Sequence, residues 1–189
     1  MRGLLIIVLS AAAIAQSQVS SGQAASNQGR GAVTGISKAE IDTVAGKNPK
    51  AVVSDQQLRV VGINGEYNLG VAIVTRTKGA GSQIAGSLDH SEVAEIYHII
   101  SGSATLVTGG AMENPKAAAP DSSVVKLTGP STGGGAIRNG TSRSVGPGDV
   151  LIIPPNTPHW FSEITSDMVY LVFRVDPHKV LPIALEMKR

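Results

Sequence analysis

The chain has no cysteine among its 189 residues. Disulfides, thiolate metal sites, a cysteine nucleophile and a lipid-bearing N-terminal cysteine are all excluded. Aromatic residues make up only 3%, charged residues 16%, and the formal net charge is +2 with no basic block or stripe. Nucleic-acid binding rests on phosphate-neutralising clusters and stacking aromatics, so it is not expected here. The same shortage of rings argues against a flat platform for an extended polysaccharide. It leaves room for a small molecule or the end of a saccharide chain.

Long apolar runs are also scarce. The one near the start, within "MRGLLIIVLSAAAIAQ", follows the basic Arg2 and ends in small residues at Ala13 and Ala15. It is shorter than the ~20 residues a membrane span needs. Its layout predicts a signal peptide over residues 1–15, hence a secreted or periplasmic protein with no membrane anchor after processing. A polar Gly/Ser/Gln/Asn-rich leader follows over residues 16–36. The chain as a whole is 42% hydrophobic, and the remainder, 37–189, is long enough for one core.

What this domain does have is strand signal. "LRVVGI", "LGVAIVTRT", "EIYHIISGSATLVT", "SVVKL", "DVLIIP" and "MVYLVFRVD" are rich in Val, Ile and Thr and bounded by Gly, Pro, Asn or Asp. Only "SKAEIDTVAG" reads as a helix, with a capping-box pair at Ser37 and Glu40 and a stop at Gly46. The fold class is therefore all-β, an antiparallel sandwich or barrel with a short N-terminal helix. A Gly/Pro-rich insertion at about residues 109–147 interrupts the rhythm, with "SVVKL" as its strand and "RNGT" as a hairpin turn. Insertions of this kind are either lids or decoration.

Two stretches carry polar groups where burial is expected. In "DHSEVAEIYHIISG", strand alternation places Glu95, Tyr97 and Ile99 on one face and Ile96, His98 and Ile100 on the other. A carboxylate on an inward face is costly without a cation or hydrogen bonds, and His90 stands just upstream. In "GPGDVLIIPPNTPHWFSEI", a Gly turn, a buried strand and a Pro-Pro turn deliver His159 to the start of another apolar strand.

Together these stretches resemble the paired motifs of the cupin superfamily, G-x5-H-x-H-x3-4-E-x6-G and G-x5-P-x-G-x2-H-x3-N. Glu95 and Gly102 match the E-x6-G half, His90 falls on the second histidine, and Gly148, Pro154 and His159 keep the spacing of the second motif. The resemblance spans roughly residues 58 to 176 and reaches secreted single-domain bacterial cupins. It implies a jelly-roll β-barrel holding one divalent transition metal, with Fe, Cu or Mn favoured over Zn or Ni, through His90, Glu95 and His159. The donor chemistry agrees, since two imidazoles and one carboxylate form the facial set of non-haem Fe(II) oxygenases. Three positions depart from the pattern: Leu88 replaces the first histidine, Asn156 the glycine and Glu163 the final asparagine. Asn156 still suits a turn, because asparagine tolerates left-handed backbone. Leu88 either opens a coordination position or weakens the site.

The expected function is an exported, metal-dependent, oxidative enzyme of oxygenase or oxidase type, acting on a small organic or carbohydrate-derived molecule as a homodimer. The alternatives are a non-redox isomerase, lyase or decarboxylase, and a binding cupin without catalysis. Tyr97 is the candidate catalytic proton donor or acceptor. Arg174, with Arg76, lies in an apolar strand where a buried guanidinium would clamp an anion; exposure at a sheet edge is the competing reading for both. Trp160 is assigned to packing, His98 to structure and His178 to solvent.

Overall fold

The computed structural model describes residues 33–47 and 51–185. The expected signal peptide and most of the expected leader lie outside the described residues. Helix α1 covers Lys38–Ala45, and Ser37 caps it by accepting the Glu40 N–H at 3.2 Å. The Glu40 carboxylate does not complete the capping box; it accepts from Arg59 at 2.6 Å. Gly46 ends the helix in right-handed rather than left-handed backbone.

The strands in chain order are β1 (Val53–Ile63), β2 (Tyr67–Arg76), β3 (Gly79–Ala80), β4 (Ser87–His90), β5 (Ala94–Thr108) and β6 (Ala111–Met112). After them come β7 (Lys116–Ala117), β8 (Ser131–Gly134), β9 (Ile137–Arg138), β10 (Thr141–Val145), β11 (Val150–Ile153) and β12 (His159–Asp176). All pairings among the described residues are antiparallel, and all strands but β6 and β9 join one large sheet. The all-β expectation with a short N-terminal helix is what the chain shows. The pairings run from β1 at one edge to β7 at the other, and no closed ring of strands is drawn among the described residues.

Strands β5 and β12 organise the sheet. They pair along nearly their whole length, with register shifts between Phe161 and Tyr170 where the ribbon bends. β12 then passes its first half to β3 and β4 and its second half to β2, while β5 serves β10 and β11 on its other side. Alternation does the rest: from Met168 to Asp176 every second residue is buried. The inner face packs Tyr97, Ile99, Leu106, Phe161, Tyr170 and Val172 into the main core. On the outer face, α1 lays Val44 over Leu58 and Ile73 in a second cluster. Val150 and Ile152, exposed at 60% and 73%, remain uncovered on β11.

Two expectations for the insertion need correction. "SVVKL" is not a strand: Ser123–Thr128 form a short helix, α2, because Ser122 accepts the Val125 N–H and caps it. "RNGT" does turn, with Asn139 at φ +56°, but it closes no hairpin, since β9 pairs with β6 and β10 with β5.

The motif glycines Gly102 and Gly148 both adopt left-handed backbone, at φ +81° and +90°, but only the first is crowded. A Cβ at Gly102 would lie 2.2 Å from the Asp167 carbonyl oxygen, whereas Gly148 faces open space. Gly148→Ala is expected to cost about 1–2 kcal/mol, the conformational penalty alone. Gly102→Ala should cost clearly more, read as a larger fall in the urea midpoint.

Candidate metal centre

The site is assembled by register. His90 ends β4, Glu95 opens the inner face of β5, and His159 begins β12 between β4 and β5. All three are buried, at 4%, 2% and 6% exposure. The Nε2 atoms of His90 and His159 stand 3.5 and 3.7 Å from Glu95 Oε2, and the three donor atoms lie within 4.8 Å of one another. Ligands held at about 2.1 Å from one ion at tetrahedral angles stand about 3.4 Å apart, so the spacing fits a single cation.

The hydrogen bonds behind each ring determine which nitrogen faces inward. His159 Nδ1 meets the Thr157 carbonyl at 3.0 Å, and a carbonyl only accepts, so Nδ1 carries the proton. His90 Nδ1 meets Ser131 Oγ at 2.8 Å across the β4–β8 pair. Ser131 spends its own proton on the Gly129 carbonyl at 2.7 Å, so here too Nδ1 donates. Both rings therefore turn Nε2 toward the carboxylate. Burial lowers the His159 pKa despite the nearby carboxylate, keeping that ring neutral. Two ring nitrogens and a carboxylate oxygen converging in a buried space are a donor set that a cation would join. The residues present fit a divalent metal on these grounds.

Glu95 is held from behind. Burial opposes its ionisation most strongly, but the charge of Arg174, joined by His90 and His159, keeps the carboxyl well below its ordinary range. Arg174 Nε donates to Glu95 Oε1 at 2.9 Å, leaving Oε2 to face the histidines. Its other nitrogens donate to both oxygens of Asp55 on β1. Gly70, opposite Arg174 on β2, makes the space, since a Cβ there would lie 3.2 Å from that of Arg174. Tyr97 donates to Glu95 Oε2 at 2.7 Å. Burial first and Glu95 second push its pKa far above the usual phenol, so it is a donor at neutral pH.

The second motif is bonded to the first. Asn156, at φ +58°, donates its backbone N–H to the His90 carbonyl at 2.8 Å and its side-chain amide to the Ser91 carbonyl at 3.3 Å. Leu88 pairs with His159 and lines the cavity, offering no donor atom, so the set is two imidazoles and one carboxylate. Glu163 is exposed opposite Ala80. His98 and His178 are exposed, and Trp160 is half-buried with its indole N–H on the Ala85 carbonyl at 3.1 Å.

The ligand triad opens into a cavity of about 430 Å³, walled also by Arg76, Phe161 and Tyr170 and roofed in part by Val124 and Leu127 of α2. Three participants were not visible in the sequence. Asp55 gave no signal because its partnership depends on the β1–β2–β12 register, Ser131 lay in a stretch read as loose, and α2 was read as a strand.

No family model matches the chain, and no curated protein matches it. Among solved structures, KdgF from Halomonas sp. is similar at 14% identity and TM-score 0.41, over 69% of this chain and 84% of that one. DMSP lyase DddQ from Ruegeria pomeroyi is similar at 19% identity and TM-score 0.40, over 68% and 49%. Oxalate decarboxylase from Bacillus subtilis is similar at 20% identity and TM-score 0.42, over 65% and 25%. The chain thus spans about half of the lyase and a quarter of the decarboxylase.

Removing Arg174 should expose what it compensates. Arg174→Met leaves two carboxylates without their shared cation and is expected to cost the metal-free protein about 3–5 kcal/mol in urea unfolding. Adding Glu95→Gln to that variant should recover part of the loss. The pH response follows His159. Its folded pKa lies below that of the unfolded ring, about 6.5, so the unfolded chain takes up the proton first. Stability of the metal-free protein is full above that pH and declines as the pH falls below it, and His159→Gln should flatten the decline in thermal melts.

The all-β fold and the convergence of His90, Glu95 and His159 are what the cupin resemblance of the sequence implies.

Proposed function

We propose that the chain is an exported mononuclear metalloenzyme of cupin type, oxidising a small organic or carbohydrate-derived molecule in the cavity beside the triad. One observation carries the reading: two imidazoles and an ionised carboxylate, each fixed by its own hydrogen bonds, direct three donor atoms at a common point. His90 Nε2, His159 Nε2 and Glu95 Oε2 would hold the ion. Such a three-ligand set leaves positions for substrate or dioxygen, and a bound redox metal supplies Lewis acidity and electron transfer there. Leu88 in place of a fourth donor supports an open site.

The chain's own groups set the conditions. Arg174 restricts Glu95 to one free oxygen, which favours monodentate binding. Tyr97 places a phenolic proton 2.7 Å from that oxygen, on the cavity wall, where it orients the carboxylate and faces any bound molecule. The volume of about 430 Å³ falls in the range of about 300–1,000 Å³ typical of small-molecule sites, which supports a small substrate over a polymer.

Elemental analysis tests the reading. Wild-type protein purified from its export compartment should carry close to one transition-metal ion per chain, and His159→Ala and His90→Ala should each lose it. Tyr97→Phe should keep the ion. Equal trace metal in wild type and both histidine variants would overturn the metalloenzyme reading. Turnover by Zn-loaded protein without oxygen would overturn its oxidative part and leave a lyase or isomerase.

A further inference from the structure

The cavity holds two guanidinium groups, and only one is committed to the protein. Arg174 divides its nitrogens between Glu95 and Asp55. Arg76, at the end of β2, uses its Nε to donate to Tyr170 Oη at 2.8 Å and sets its Cζ 4.9 Å from the centre of the Phe161 ring. Among the described residues its Nη1 and Nη2 donate to no side chain or carbonyl. No buried side-chain nitrogen or oxygen there lacks a partner, so these two atoms are accessible, and Arg76 lines the cavity. One edge of a planar fork is fixed by a phenol and an aromatic face, and the other is presented to a ligand.

The charges around it point the same way. The charged residues described in the cavity wall are Asp55, Glu95, Arg76 and Arg174, and Arg174 is matched by both carboxylates. The positive charge of Arg76 therefore has no bonded counter-ion, and a divalent metal would add to the excess. The acids that bear on Arg76 are Asp55, bonded elsewhere, and the phenols of Tyr97 and Tyr170, which are protonated at neutral pH. The rest of the wall offers carbon surface from Val74, Leu88, Val124, Leu127, Trp160 and Phe161.

We propose that Arg76 is the specificity-determining residue of this cavity and that its ligand is a small organic acid, the carboxylate pairing with Nη1 and Nη2 and the carbon body packing on the apolar wall. A bidentate guanidinium–carboxylate pair suits the planar fork, which a lysine would not reproduce. The anion-clamp role expected for Arg174 thus falls to Arg76, and Arg174 becomes a positioning residue for Glu95. The proposal rests on the reading that this cavity is the substrate site, but not on the metal.

The test uses metal-free, full-length mature protein and two probes of matched shape, propionate and propionamide, titrated by NMR. Wild type should bind propionate at least about tenfold more tightly than propionamide, the difference a charged hydrogen bond supplies. Arg76→Gln should lose about tenfold for propionate and nothing for propionamide, and Arg76→Lys should fall between. Should Arg76→Gln fail to fold, Tyr170→Phe, which frees Nε, should still weaken propionate several-fold. Because the protein is metal-free throughout, these outcomes do not depend on the metal reading, which the elemental analysis tests separately. Equal binding of the two probes, undiminished binding by Arg76→Gln, or no binding of propionate to wild type would overturn it.

Discussion

The ion pair between Arg174 and Glu95 is the constraint on which the site depends. A carboxylate at 2% exposure would ordinarily take up a proton and cease to be a metal ligand. The guanidinium prevents this and, by occupying Oε1, also decides which oxygen is free. Strand register makes the pair inevitable once β5 and β12 join, because Arg174 and Glu95 are direct cross-strand partners. Gly70 on the far side of β12 gives the guanidinium its room. The electrostatics of the site are thus built into the sheet and not into a loop.

A similar economy governs the histidines. Each ring is fixed by an acceptor on neighbouring backbone or strand, Thr157 for His159 and Ser131 for His90. The ring that faces the cavity has its tautomer settled before any ligand arrives, so little reorganisation is left for binding. Asn156 links the two motifs by bonding to the His90 backbone, which accounts for its tolerance where a glycine would otherwise stand.

How much of this was legible in the sequence depends on the range of the interaction. Alternation along β5 placed Glu95 and Tyr97 on one face, and the buried pattern confirms it; the Pro-Pro turn before His159 likewise led to a strand start. The capping serine of α1 was visible because its signal spans four residues. Ser122 caps α2 as well, but Val125 stands where a capping box has Glu or Gln, and the β-branched Val124 and Val125 read as strand. Arg174 was seen to lie in an apolar strand, yet its partner Asp55 is 119 positions away and meets it only through β2. Which arginine is bound and which is free could not be read without that register.

Asp55 belongs to β1, at one edge of the sheet. The guanidinium that keeps Glu95 ionised is therefore itself anchored to a margin, where strands open most readily. Fraying of that margin would let the guanidinium swing and the carboxylate recover its proton. Competence for an ion in this way depends on the first strand keeping its register on the second.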